Sequence, residues 1–442
     1  MMYFKKAFVI FLLFYLLFMC IGYKEEIDTY AIVMQIVIAL SSFGYASFML
    51  KNEGKNILLL TFLFQLVLSV GLRLVFISYD KVSIFGNDPN NDALGYFRYA
   101  LLANYKTIGE YKYFLENNYW GNIDDFGYTF YLFFIHKVMS QDIALWLVII
   151  LNAFLIACSA KFLYKTCEFY NKNRSDDTNS RIIATIFSTF TFFVNNSAVG
   201  RKEDLFMFFI AGAFYYMVKY QRTRKMTDLL CFGLFVAFTI FFRTVVTFII
   251  VVSFILGAYV KKERNKKLYT FILLGAAFLG PIMINIVAEK VLGKSMDEIY
   301  SIAESRYNSV GNNSYSKKIG DIAASIVGPF PNYTYFKDTL FYSYSSLLKM
   351  LLNLPVCATI FWVIKNMKIE FYSVVSSVVL GVVMLAITGT GLDLRYHIPF
   401  FVPFLLVFAV FLNFDIVFPK KQVVKVLYML MCFFIIYLYN QR

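Results

Sequence analysis

The sequence predicts an all-α integral membrane protein, a polytopic bundle of about 13 transmembrane helices plus one re-entrant or half segment. Three observations predict it. Of 442 residues, 60% are hydrophobic and only 16% are charged, a balance that excludes a soluble multidomain chain. Apolar runs of spanning or near-spanning length recur from end to end. Lys and Arg gather in the short segments between those runs, where they set topology. The net charge of +14 is therefore a topological signal, and no nucleic acid partner is expected.

A spanning helix needs roughly 17–25 mainly apolar residues. The runs that meet or approach this are, in order, 7–23, 30–50, 57–78, 143–164, 181–197, 203–219, 229–242, 245–260, 268–288, 345–364, 371–388, 398–414 and 423–439. The first follows Lys5 and Lys6 and lacks a small-residue cleavage site, so it reads as a retained helix and not as a signal peptide. The run 127–139 is short and polar at its end. It reads as re-entrant or half-buried, because a crossing there would put the basic loop 165–181 outside. With a cytoplasmic N-terminus, the basic excess falls inside and the opposite side is close to neutral. No soluble block is long enough for a separate core, so residues 1–442 read as one polytopic domain. Two long segments, 79–126 and 289–344, fall outside, and their mixed aromatic and polar character suits interfacial helices. Thirty-three tyrosines (33) suit first an aromatic belt at the membrane surface, and as the sharper alternative stacking on sugar faces. Six cysteines without a CxxC spacing predict neither disulfide nor zinc.

Four constellations on the expected outer side carry chemistry. The first is Asp88-Pro89-Asn90-Asn91-Asp92 with Tyr96 and Arg98. Asp92, Tyr96 and Tyr99 fall at helical spacing. A carboxylate there suits proton abstraction from a hydroxyl or divalent-cation binding, and the same residues suit a plain polar turn. Ala93 and Tyr99 stand where a calcium loop needs Gly and Glu, so that reading fails. The second is Gly200-Arg201-Lys202-Glu203-Asp204 at the start of a helix. The acids suit a helix N-terminus; the basic pair suits an anion held there or snorkels to headgroups. The third is Arg243, at the far tip of an apolar excursion flanked by basic loops, a costly place for an unpartnered charge. The fourth is Thr388-Gly389-Thr390-Gly391-Leu392-Asp393-Leu394-Arg395-Tyr396-His397. Arg395 suits a bidentate grip on phosphate, and His397 is one of two histidines. Arg306 lies in the second long outer segment.

The pattern of spans and loops resembles the bacterial O-antigen polymerases of the Wzy type and, more broadly, polytopic glycosyltransferases of the C fold that use lipid-linked donors. Asp92 with Tyr96 in the first outer loop, the Gly-Arg-Lys-Glu-Asp run and the late Asp-Leu-Arg-Tyr-His-Ile-Pro run carry the resemblance. Some such polymerases have an Arg-x10-Gly motif in an outer loop. Arg201 with Gly212 fits that spacing, whereas Arg243, Arg306 and Arg395 do not. The resemblance implies joining of lipid-diphosphate-linked oligosaccharide repeats, of the O-antigen or capsule kind, outside the bacterial inner membrane. The donor is undecaprenyl-diphosphate-linked oligosaccharide. The expected partners are membrane lipid and a chain-length regulator and flippase of the same pathway.

In that scheme Arg201, Arg243 and Arg395 stabilise the departing diphosphate and Asp92 activates the attacking hydroxyl. Asp88, Tyr96, Arg98, Lys202, Arg306 and His397 line the substrate site. No cofactor is expected and no metal ligand set is read, with a divalent ion left open. The alternatives are a transferase of single sugars from a polyprenyl phosphate, and a flippase or transporter of lipid-linked oligosaccharide.

Overall fold

A computed structural model describes residues 9, 11, 13, 15, 16, 29–51, 56–80, 92–102, 107–118, 126–171, 177–259, 315–331, 338–414, 416 and 422–441. Every regular element among the described residues is helical. From Thr29 onward the helices are α1 (Thr29–Lys51), α2 (Ile57–Asp80), α3 (Asp92–Leu102), α4 (Ile108–Asn118), α5 (Phe126–Val138) and α6 (Gln141–Glu168). Next come α7 (Thr178–Ser188), α8 (Thr191–Val199), α9 (Glu203–Thr223), α10 (Met226–Thr239) and α11 (Thr244–Tyr259). The last six are α12 (Tyr315–Ile326), α13 (Asp338–Lys365), α14 (Tyr372–Thr388), α15 (Leu394–His397), α16 (Phe401–Asn413) and α17 (Gln422–Gln441).

Among the described residues five helices are long and apolar enough to cross a membrane, or six if the bent pair α7–α8 is one span. The chain is thus a helical, membrane-embedded protein. The expected run 268–288 and most of 7–23 lie outside the described residues, as do Asp88 and Arg306. The segment 79–126, expected outside, holds α3 and α4, which press Ala93, Tyr96, Phe97, Tyr111 and Leu115 into the interior. In the second, α12 is followed by a buried Phe330. The helix expected from 345 begins earlier, at Asp338.

The run 181–197, expected as one span, is instead two helices bent by 45° between Ser188 and Thr191. Hydroxyls bond back to the helix backbone at the junction. Ser188 Oγ donates to the Ala184 carbonyl at 2.7 Å, and Thr189 Oγ1 to that of Ile186 at 3.1 Å, a pattern that bends helices. The backbone groups released at the break find partners on neighbouring helices, as a low-dielectric setting requires. Gln65 Nε2 donates to the Ser188 carbonyl at 2.6 Å, and the Phe192 amide donates to Ser345 Oγ at 3.1 Å.

A polar ladder on α2 tracks this bent pair. Thr61, Gln65, Ser69 and Arg73 recur every fourth residue and so share one helix face; all four are buried. Ser69 Oγ donates to the Val194 carbonyl at 3.3 Å and Arg73 Nη1 to that of Ala198 at 3.4 Å. α2 therefore runs parallel to α7–α8, and Arg73 arrives beside the end of α8.

Contacts sort the helix termini into two ends. At one end lie the C-terminus of α6, the N-terminus of α7, the α9–α10 turn and the ends of α11, α13 and α16. There Arg222 lies over the Phe169 ring at 5.8 Å, and Asn179 Nδ2 donates to Asn413 Oδ1 at 2.9 Å. Ser373 Oγ donates to Gln221 Oε1 at 3.1 Å. Ion pairs Lys165–Glu168, Arg181–Asp177 and Lys219–Asp228 belong to this end, at 2.8, 2.8 and 2.9 Å. The opposite end gathers the α8–α9 turn, the α10–α11 tip, the start of α13 and the segment from Thr388 to His397. Aromatic rings fill the bundle between the ends, with Phe190 stacked on Phe401 at 4.0 Å and Phe206 on Phe242 at 5.4 Å.

Candidate functional site

The α8–α9 turn is built to hold Arg201 in place. Gly200 closes α8 in the left-handed region at φ 76°, which a residue without Cβ adopts at little cost. The amides of Gly200 and Arg201 both donate to the Asn196 carbonyl, at 2.8 and 2.9 Å. The two carbonyls of the turn are taken as well. Tyr128 Oη donates to the Gly200 oxygen at 2.6 Å, and Asn152 Nδ2 to the Arg201 oxygen at 3.4 Å. With its backbone fixed from α5 and α6, Arg201 directs its guanidinium to the Tyr342 hydroxyl on the first turns of α13. Lys202, next in the turn, lies over the Tyr96 ring at 5.6 Å, and Tyr96 meets Tyr128 edge-on at 5.4 Å.

Arg243 lies in the short tip between α10 and α11. Its amide donates to the Thr239 carbonyl at 3.0 Å, and its own carbonyl accepts from Val246 at 3.1 Å. The guanidinium stands 4.5 Å from the centre of the Tyr396 ring, within cation–π range. The Gly127 amide donates to the Phe241 carbonyl at 3.0 Å, so α5 is tied to the same tip.

Asp393 organises the last segment. Its Oδ1 accepts from the Arg395 amide at 2.9 Å, and its Oδ2 pairs with Arg395 Nη2 at 3.1 Å. The Tyr342 hydroxyl and the Glu203 carboxylate lie within electrostatic reach of the same guanidinium. Arg201 is bonded to Tyr342, which lies near Arg395, and Arg243 rests on Tyr396, the residue after Arg395. Three guanidinium groups from three different connections are brought to one end of the bundle around two half-buried tyrosines. Such planar donors in a partly enclosed setting suit an anion with several oxygens.

His397 is enclosed and donates from Nε2 to the Gly391 carbonyl at 2.7 Å. It clips the loop that carries Arg395. Arg98 is exposed while Tyr96, two residues before it, is buried, so the structure turns Arg98 away from the Tyr96 face. Asp92 opens α3, with its side chain outside the described residues. Gly212 sits within α9 and not in an outer loop. A Cβ there would come within 2.2 Å of Phe235, so close packing of α9 on α10 accounts for it.

The residues that sequence reasoning passed over are Tyr342, Arg73 and Lys349. Tyr342 carries no charge and sits in a tyrosine- and serine-rich stretch without a local signal. Arg73 had one, a guanidinium inside an apolar run. Lys349 is buried on α13 and donates to the Gly328 carbonyl, while Asn353 donates to that of Val327. The pair caps the end of α12, where a cation suits the helix dipole. Among the described residues no three His, Cys, Asp or Glu side chains gather closely enough to hold a metal ion.

No protein-family model and no curated protein matches the chain.

Proposed function

We propose that this protein is a polymerase joining lipid-diphosphate-linked oligosaccharide repeats on the outer side of the bacterial inner membrane. The observation that carries the reading is the gathering of Arg201, Arg243 and Arg395 around Tyr342 and Tyr396 at one end of a membrane bundle. In this reading the end bearing Lys165, Arg181, Lys219, Arg222, Arg224 and Lys225 faces the cytoplasm, as basic loops do. The arginine end then faces the exterior. About 13 helices cross the membrane in all. The donor is undecaprenyl-diphosphate-linked oligosaccharide, and a chain-length regulator and a flippase are partners in the same pathway.

The chemistry follows from charge. When a sugar hydroxyl attacks the anomeric carbon, the lipid diphosphate leaves with an added negative charge. Guanidinium groups fixed beforehand stabilise that charge without reorganising. Lys202 and His397 sit in the same turns, one beside the diphosphate site and one holding the Arg395 loop. A carboxylate accepts the hydroxyl proton.

One observation favours a second reading. The bent pair α7–α8 is a discontinuous helix lined by buried hydroxyls, a feature of transporters, and this suits a flippase of the same lipid-linked ligand. Surface glycan in cells separates the two. Arg201→Ala, Arg243→Ala and Arg395→Ala should abolish long chains and leave single repeats displayed. Loss of all repeats supports flipping, and normal ladders from all three remove the site.

A further inference from the structure

We propose that Glu203 marks the acceptor subsite, where its carboxylate takes the proton of a sugar hydroxyl beside the arginine cluster. The inference rests on the polymerase reading and names that site's second substrate, a neutral polyhydroxyl chain end.

Glu203 opens α9 two residues after Arg201, and only 7% of it is exposed. Among the described residues its Oε2 is enclosed without a hydrogen-bond donor. The carboxylate is within electrostatic reach of both Arg395 and the Tyr128 hydroxyl. An enclosed carboxylate oxygen without a donor is costly, and the partner it lacks is an O–H or N–H.

Two other described carboxylates at this end, Asp393 and Asp204, stand differently. Asp393 is paired with Arg395 and caps α15. Asp204 is wholly buried and its Oδ2 accepts from Ser197 Oγ at 2.6 Å; its Oδ1 is also enclosed without a donor among the described residues, but this carboxylate lies toward Tyr131 and has only the one free oxygen in a fully closed setting. The half-buried rings of Tyr342 and Tyr396 add amphipathic surface that suits a sugar. A carboxylate two residues from Arg201 and near Arg395 suits a hydroxyl and repels a second anion.

The step balances within these groups. The acceptor oxygen forms a bond to the anomeric carbon of the donor as the bond from that carbon to the diphosphate oxygen breaks. The electron pair leaves with the lipid diphosphate, facing Arg201, Arg243 and Arg395. The acceptor proton passes to Glu203 and from there to water.

The test uses the full chain in nanodiscs, with lipid-linked repeats extracted from its native membranes and undecaprenyl diphosphate as binding probe. Glu203→Gln should bind the probe as the wild-type protein does and turn over at least about 100-fold more slowly, the usual contribution of a general base. Added formate should restore part of the turnover of Glu203→Ala, which a merely structural role would not allow. Wild-type turnover by Glu203→Gln, with Arg201→Ala inactive, overturns this inference and leaves the polymerase reading standing. Failure of formate to rescue a folded, inactive Glu203→Ala also overturns it. Wild-type turnover by Arg201→Ala as well removes the reading on which it rests.

Discussion

The Arg201 guanidinium donates to the Tyr342 hydroxyl, joining the α8–α9 turn to the first turns of α13. Two segments far apart in sequence thereby meet at one point, with Arg395 in electrostatic reach of the same tyrosine. Removal of that hydroxyl should loosen Arg201 without removing its charge. Tyr342→Phe is expected to weaken binding of undecaprenyl diphosphate by about 150-fold at most, since a hydrogen bond to a charged group contributes about 1.5–3 kcal/mol. Isothermal titration in detergent measures this, and the bundle's melting temperature should stay close to that of the parent.

Arg243 and Tyr396 form the second link of the cluster, at 4.5 Å. A cation over a ring contributes about 0.5–2 kcal/mol, depending on desolvation. A double-mutant cycle on Arg243→Ala and Tyr396→Leu, read as probe affinity, should return a coupling in that range. Tyr396→Phe, which keeps the ring, should retain most of it. Full additivity in the cycle would show that the two residues act independently.

Gly212 carries a packing test. The nearest atom to an added Cβ is Phe235 Cε1, at 2.2 Å. Overpacking of this kind costs about 1–3 kcal/mol. Gly212→Ala should lower the melting temperature measurably, and Phe235→Leu in the same chain should recover much of the loss. A motif role for Gly212 at the ligand site would appear instead as lost binding at unchanged stability.

His397 supports Arg395 through the Gly391 carbonyl. His397→Ala leaves a buried carbonyl without its donor, at about 1–3 kcal/mol. His397→Gln, which can still donate, is expected to keep more of both stability and probe binding. If both variants bind as the parent does at full stability, the clip has no role in placing Arg395.

Much of the fold was legible because membrane spans are written in single-residue hydropathy. The runs near 57–78, 143–164, 371–388 and 398–414 correspond to helices of the bundle. The break between Ser188 and Thr191 was less visible, because it depends on hydroxyls bonding backward and on Gln65 and Ser345 reaching from other helices. The four-residue spacing of Thr61, Gln65, Ser69 and Arg73 was plain in the sequence, but its meaning needed the partner helix. At the site, the three arginines stood out as charges at the ends of apolar runs. Tyr342 did not, because a tyrosine becomes distinctive only through what it touches. Glu203 was visible only as a suitable residue for a helix start, since its burial and the nearness of Arg395 are set by parts of the chain remote in sequence.

Orientation has its own test. In a chain with its native cysteines replaced, Thr388→Cys should react with a membrane-impermeant maleimide in intact cells, and Lys225→Cys only after permeabilisation. The reverse pattern would place the arginine end in the cytoplasm.

The most direct measurement is the affinity of purified protein for undecaprenyl diphosphate, compared with Arg201→Ala, Arg243→Ala and Arg395→Ala. The expected result is a loss of about 10- to 150-fold for each, the equivalent of roughly 1.5–3 kcal/mol per charged contact. Equal affinity across the parent and all three folded variants would contradict the account.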